Sequence, residues 1–268
     1  MLREGQNEAK TSFFCEFEKN NVPLHLIMAC ILHIETSTDV CSVAVSNDGL
    51  CLFDLVEQGG ERGSQASEKI GSMIDEAMKS VESGKLKLDA VAISSGPGSY
   101  TGLRIGTSMA KGLAYGSDAK LLSVPTLQLL CVPLLLNEEK YFASLAEADK
   151  VLLCPMIDAR RMEVFAALYG TSLNEVRGVQ SDIVDADTYK EFLDSHHVFF
   201  FGNGAQKCKE VINHPNAHFV ADIQPLAKNM MPLAEMRLRK GQYEDVAYFT
   251  PQYFKDYQAK LPKNLLKD

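Results

Sequence analysis

Residues 89–116 read DAVAISSGPGSYTGLRIGTSMAKGLAYG, and the fold turns on this stretch. Residues 90–94 are an apolar run of strand length. Ser95, Gly96, Pro97 and Gly98 then break it, because glycine reaches positive φ without a Cβ clash and proline pre-sets its own φ. From Gly102 onward the pattern is helical. A sharp strand-to-helix turn leaves backbone N–H groups unpaired at the positive end of the helix, so Gly96 and Gly98 are candidate ligands for a phosphate or carboxylate. A tight turn with no ligand explains the same residues. Gly96, Gly98 and Gly102 do not have dinucleotide-loop spacing. No Gly-Lys-Ser/Thr follows to make a P-loop, and no serine sits at the centre of a G-x-S-x-G elbow.

Gly102, Gly106, Ala110 and Ala114 recur every four residues and therefore share one side of the helix. Each glycine costs about 1 kcal/mol relative to alanine in a helix, so a close contact should offset it. The expected contact is another helix, from the same chain or from a partner protein.

Upstream, residues 31–35 form an apolar strand, residues 41–45 alternate, and Asn47-Asp48-Gly49 is a hairpin turn into residues 50–56. A helix follows, with Ala66, Ile70, Met73, Ile74, Ala77 and Val81 on one face. After an apolar helix near 126–136 the order repeats. Residues 151–157, 163–169 and 175–180 read as strands, 187–194 as a helix, 198–201 as a strand and 205–212 as a helix. Both first strands end on an acid, Glu35 and Asp158, and both fourth strands run into paired glycines, Gly96/Gly98 and Gly202/Gly204. A duplicated βββαβα unit is the α/β layout of actin-like and sugar-kinase-like ATPase folds. The expected division is an N-terminal lobe over 28–125, a C-terminal lobe over 126–240 and a tail over 241–268. Residues 1–27 fit neither lobe and are expected to be a disordered or non-native extension, with Met28 as the start.

The 268 residues are 46% hydrophobic, enough for sizeable cores, and the net charge of −8 argues against a free-standing nucleic-acid binder. Seven cysteines without a C-x-x-C pair read as reduced thiols of a cytoplasmic protein. The apolar run 22–34 is preceded by Glu4, Glu8, Glu16 and Glu18 and contains His25, so it reads as neither a secretory signal nor a membrane span.

The segments ILHIETSTDVCSVAV, SSGPGSYTGLRIGTSMAKGLAYG, VPTLQLL, DARRMEVFAALY and FFFGNGA, in this order, closely resemble the bacterial TsaB (YeaZ) family. The resemblance implies a non-catalytic subunit of the machinery that makes N6-threonylcarbamoyladenosine at position 37 of tRNAs reading codons that begin with A. It further implies pairing with a TsaD-like catalytic subunit, docking of a TsaE-like ATPase, and contact with tRNA only through that complex. Alone, the family self-associates through the helical surface of the N-terminal lobe. The residues expected at this contact are Gly102, Leu103, Gly106, Met109, Ala110 and Leu113 on one helix and Ile70, Met73 and Ile74 on the other. No cofactor is implied with certainty, and ATP or ADP at the subunit contact is the candidate.

The chemistry of the catalytic relatives is missing. They hold a metal through two histidines one helical turn apart, and Thr126 and Leu130 stand at those places. His214 and His218 have H-x-x-x-H spacing, but Pro215 and its neighbours disfavour the helix that would aim both rings at one ion. Glu35, Thr36, Ser37 and Thr38 occupy the place of an ATPase phosphate loop, and Asp158, with Gly202 and Gly204 nearby, that of the second. Both acidic loops lack close-approach glycines. They could retain a nucleotide, or Glu35 and Asp158 could simply satisfy backbone amides at strand ends. No catalytic residue and no metal set can be assembled. The rival reading is an independent hydrolase, an ATPase or peptidase-like enzyme of the same superfamily.

Overall fold

The computed structural model describes residues 29–59, 68–143, 145 and 150–255; the expected N-terminal extension, together with Ala66, lies outside them. Strands β1 (Cys30–Glu35), β2 (Cys41–Asn47) and β3 (Leu50–Glu57) form an antiparallel meander turned by Asp48 and Gly49, both at positive φ. Helix α1 (Ile70–Ser83) returns the chain to β4 (Leu88–Ser94), parallel to β1. Helix α2 (Tyr100–Gly116) leads to β5 (Lys120–Val124), parallel to β4. The first sheet is thus ordered β3-β2-β1-β4-β5.

Helices α3 (Thr126–Leu135) and α4 (Glu138–Phe142) connect to the second unit. Its strands are β6 (Val151–Asp158), β7 (Glu163–Gly170), β8 (Glu175–Ile183), β9 (His197–Phe201) and β10 (Ala217–Phe219). They are ordered β8-β7-β6-β9-β10. Strand for strand and direction for direction, this repeats the first sheet. The duplication extends to a fifth strand in each lobe that the sequence pattern did not show. The crossover helices of the second lobe shrink to single turns, α5 (Lys190–Leu193) and α6 (Ala205–Cys208).

Helix α3 is apolar apart from Thr126 and Gln128, and eight of its ten residues are buried, as befits a helix packed on more than one face. It turns Leu129 and Val132 to Ile31, Ala90, Ala92, Leu122 and Val124 of the first sheet, and Leu127, Leu130 and Leu134 to Leu153, Ile157 and Phe201 of the second. A 3₁₀ turn (Ala227–Met230) and helix α7 (Met231–Arg239) complete the layer. Met231–Arg239 was expected within the second lobe. Instead Leu233, Ala234 and Leu238 pack on the first sheet, because the chain crosses back after β10.

The other face of the first sheet carries α1 and α2. Ile70, Met73, Ile74, Ala77 and Val81 pack with Leu32, Ile34, Val43, Val91 and Ile93. Here the small-residue stripe finds its use, and the expectation of a helix opposite it requires correction. A Cβ on Gly102 would stand 2.0 Å from the Thr36 carbonyl oxygen. One on Gly106 would stand 2.2 Å from Thr36 Oγ1 and 2.9 Å from Ile93 Cδ1. The stripe lets α2 press onto the carboxyl end of β1 in its own sheet. Gly106→Leu should therefore unfold the protein at lower urea concentration, with a loss of about 1–3 kcal/mol from overpacking, before any partner is considered. An unchanged midpoint in chemical denaturation would overturn this assignment.

Candidate interlobe site

Helix α3 touches the strand ends of both lobes: the Thr126 amide donates to the Gly96 carbonyl after β4 at 2.9 Å, and Leu130 Cδ1 would lie 3.3 Å from a Cβ on Gly202 after β9. In the first lobe β1 ends on the fully buried Glu35, whose Oε1 accepts a hydrogen bond from the Ser37 amide at 2.5 Å. Thr36 Oγ1 donates to the Gly102 carbonyl at 2.8 Å, and the Ser99 amide donates to the Ser37 carbonyl at 2.6 Å. Ser99 Oγ also caps α2, accepting from the Gly102 amide at 3.2 Å. A Cβ on Gly98 would stand 2.3 Å from the Ser37 carbonyl oxygen. Thr36, Ser37, Gly98 and Gly102 are therefore closed against one another, and no space the size of a phosphate separates them. Thr38 is half-buried, with its hydroxyl turned back to Val40.

Gly96 takes φ +101°, and a Cβ there would stand 2.7 Å from the Gln252 carbonyl oxygen. The Gln252 amide donates to the Ser95 carbonyl at 2.8 Å, and the Ser95 amide to Val124. Of the two glycines read from sequence as candidate anion ligands, Gly96 is thus closed over by Gln252 and its carbonyl accepts from the Thr126 amide at 2.9 Å, while Gly98 abuts Ser37. From Gln252 a strap continues across to the second lobe. Tyr253 packs on Tyr100 with ring centroids 4.8 Å apart, Phe254 lies 6.4 Å from Phe165, and Lys255 Nζ pairs with Glu163 Oε2 at 2.5 Å.

In the second lobe Gly202, at φ +96°, and Gly204 approach β6 in the same manner; a Cβ on Gly202 would meet the Met156 carbonyl oxygen at 2.3 Å. Asp158 stays exposed. Its amide donates to Asn203 Oδ1 at 2.9 Å, its Oδ1 accepts from the Arg160 amide at 3.0 Å, and its carboxylate pairs with Lys207. Both strand-end acids thus bind the amide two residues on.

Burial pushes the Glu35 carboxyl from its ordinary 4.5 up to about 7, against the smaller opposing pull of Ser37, Ser94 and the Thr36 amide. Burial alone lowers His33, two residues earlier on β1, to about 3, and its Nε2 lies 2.8 Å from Ser46 Oγ. In both, burial inside the sheet favours the neutral form.

Of the residues expected at a partner contact, Gly102, Leu103, Gly106, Ala110, Ile70, Met73 and Ile74 are buried in the lobe. They pack inward within the lobe. Leu113 is half-buried, and Met109 is 40% exposed. Tyr100, Tyr253, Gln252, Lys207 and Arg160 are brought to the interlobe mouth without any sequence signal, because the strap has no periodic pattern.

The family model for tRNA N6-adenosine threonylcarbamoyltransferase, TsaD, matches residues 63–263. The tRNA threonylcarbamoyladenosine biosynthesis protein TsaB of Escherichia coli (strain K12) is 28% identical over 87% of this chain and 98% of its own length. The chain belongs to this threonylcarbamoyltransferase family, in its TsaB (YeaZ) group. Two solved structures carry the same fold at 21% identity. YeaZ from Pseudomonas aeruginosa aligns over 84% of this chain and all of its own with a TM-score of 0.64. A second, described as an uncharacterized Pseudomonas aeruginosa protein with similarity to peptidase YeaZ, aligns over 85% of this chain and all of its own with a TM-score of 0.69. The fold is the actin-like, sugar-kinase-like ATPase fold.

In this TsaB-group chain Thr126 and Leu130 are fully buried, and Leu130 Cδ1 would lie 3.3 Å from a Cβ on Gly202. Both pack between the sheets. His214 and His218 diverge: His214 Nε2 lies 3.7 Å from Asp194, and His218 Nε2 lies 3.1 Å from His197 Nδ1. Among the described residues no three His, Cys, Asp or Glu side chains gather around one point. An open cavity of about 560 Å³, lined by Lys150, Asp194, Ser195, His196, His197 and Asn216, lies at the amino end of β9, away from the interlobe mouth.

The raised Glu35 pKa sets a sign. In the folded chain the group holds its proton from its ordinary 4.5 up to about 7, whereas the unfolded chain has released it, so stability falls as pH rises through that window. Glu35→Gln keeps an acceptor for the Ser37 amide and removes the ionisation. Relative to the variant, the parent should lose up to about 3 kcal/mol between pH 4.5 and pH 7.5. Parallel stability curves for the two proteins over this range would show that Glu35 is not held neutral.

Proposed function

We propose that this chain is a non-catalytic scaffold and activating subunit in tRNA N6-threonylcarbamoyladenosine biosynthesis. It pairs with a TsaD-like transferase subunit, is visited by a TsaE-like ATPase and works in the cytoplasm, where its tRNA substrate is made and used. The observation that carries the non-catalytic part is the closure of Thr36 and Ser37 onto Gly98 and Gly102. A phosphate would have to enter where the chain's own backbone already lies. Any ATP or ADP is held at the subunit contact and not within this chain's cleft.

The partner surface moves to the outer face of α2. Arg104, Ser108, Met109 and Gly112 are exposed there, with Gly71 of α1 beside Met109. Gly112 lies inside the helix, and a Cβ on it would meet nothing within 4 Å. Unlike Gly102 and Gly106, it has no neighbour among the described residues to account for its cost of about 1 kcal/mol. A helix of another protein approaching closely accounts for it, either the transferase subunit or, when the chain is alone, a second copy.

Two measurements test this. The purified chain should transfer no threonylcarbamoyl group and hydrolyse little ATP, while addition of the TsaD-like and TsaE-like proteins restores tRNA modification. Modification by the chain alone at a comparable rate, or ATP turnover needing no partner, would favour the independent hydrolase. Gly112→Ala should stabilise the free chain by up to about 1 kcal/mol in urea unfolding, and Gly112→Leu should fold equally well. Both should weaken association with the transferase subunit, the leucine more. Unchanged association constants would remove α2 from the interface.

A further inference from the structure

The β6–β7 connection carries Arg160 at φ +74° and Arg161 at φ +52°, two consecutive bulky residues in left-handed backbone. Such residues rarely adopt it, because Cβ crowds the neighbouring carbonyl. Lys85 and Leu173 take the same backbone in other turns, and here it turns the β6–β7 hairpin, in which the Glu163 amide donates to the Arg160 carbonyl at 3.1 Å. The pair is also exposed, and among the described residues no acid pairs with either guanidinium. The backbone conformation serves the turn; what the fold leaves without a partner is the exposed double charge at its tip, which points to an anionic ligand.

The surroundings specify the ligand. Asp158, the nearest acid, is engaged by Lys207, and Glu163 by Lys255. Four cations therefore stand against two carboxylates, on a chain whose net charge is −8. Tyr253 and Phe254, next to Lys255 in the strap, expose 44% and 36% of their surface. Arginines suit phosphate oxygens, and partly exposed rings beside them suit unstacked bases. The surface is an open hairpin tip, which fits a strand of polynucleotide laid across it better than an enclosed mononucleotide.

We propose that the Arg160–Arg161 hairpin tip, with the adjoining strap residues 253–255, is the surface through which this chain contacts the phosphate backbone of the tRNA. This rests on the reading of the chain as a subunit of a tRNA-modifying complex and adds a direct RNA contact to it. The acidic remainder of the molecule leaves such a contact local and weak without the transferase subunit, so binding should be strongly salt-dependent.

The test replaces both arginines with glycine, which relieves the backbone and removes the charge. R160G/R161G should melt no lower than the parent and co-elute with the transferase subunit as before. Its complex should bind an unmodified tRNA transcript on the order of tenfold more weakly, with the slope of log affinity against log salt reduced by about two. R160K/R161K should recover most of that slope. Equal affinity and slope in parent and glycine variant would overturn the proposal, as would loss of subunit association with RNA binding intact, which would make the tip a protein contact. Photocrosslinking of the same transcript to the chain alone separates the two readings. Crosslinks at 160–161 and 253–255 are expected even if the transferase subunit does not bind, and their absence would end the proposal.

Discussion

The seating of α2 on Thr36 is the contact on which the first lobe depends. A helix following a parallel strand covers the sheet at a distance set by its side chains, but here Gly102 and Gly106 remove the side chain where the end of β1 crosses beneath. The helix drops until the Thr36 hydroxyl reaches the Gly102 carbonyl. That approach buries Glu35 and brings the Ser99 amide to Ser37. Two amides of the strand-to-helix turn, those of Ser99 and Gly102, are consumed by the same step, and the backbone of Ser37 fills the space before them. Closure of the cradle and tightness of the core are therefore one feature. A variant that reopened the cradle would lift α2 off the sheet.

The second lobe starts from the same plan and diverges at the same point. Gly202 and Gly204 approach β6 as Gly96 and Gly98 approach the first lobe's loop and strap, yet Asp158 remains at the surface with Lys207 and two arginines around it. The difference follows from the helices. A single turn, Ala205–Cys208, cannot cover the strand end that the seventeen-residue α2 covers in the first lobe. One lobe buries its strand end in core, while the other keeps a charged rim. Residues 252–255 link the two through Ser95, Tyr100, Phe165 and Glu163, which ties the rim of the second lobe to the turn of the first.

Much of this was legible in the sequence. The βββαβα order, its repetition and the paired acids and glycines at strand ends follow from short-range patterning, which is where period and turn chemistry are strong. Lys120–Val124 escaped because five residues between Asp118 and Pro125 merge with the apolar helix that follows. Ala217–Phe219 escaped because three residues carry no period. Met231–Arg239 was placed with the wrong sheet, since sequence proximity does not reveal a chain that crosses back. The small-residue stripe was seen, but its partner was misjudged. Four-residue spacing reports that one side of a helix is closely approached and is silent on whether strand or helix approaches it. Gly112, outside the stripe, looked like its neighbours until the space beyond it was known.

The contrast among these glycines also bears on how a fold built around a nucleotide can lose its chemistry and keep its architecture. A phosphate loop requires amides that are free until the ligand arrives, and free buried amides cost stability in every unliganded molecule. If transfer is carried out on another subunit, as proposed above, nothing offsets that cost, and side chains close the loop: Glu35 on the Ser37 amide, Thr36 on the Gly102 carbonyl. The outer surface answers to a different constraint, since it must fit partners. Features that the isolated chain does not need therefore collect there, namely Gly112 inside an exposed helix and the exposed charges of Arg160 and Arg161. Gly112 and the Arg160–Arg161 pair, which no described neighbour accounts for, both lie on a surface another molecule can reach.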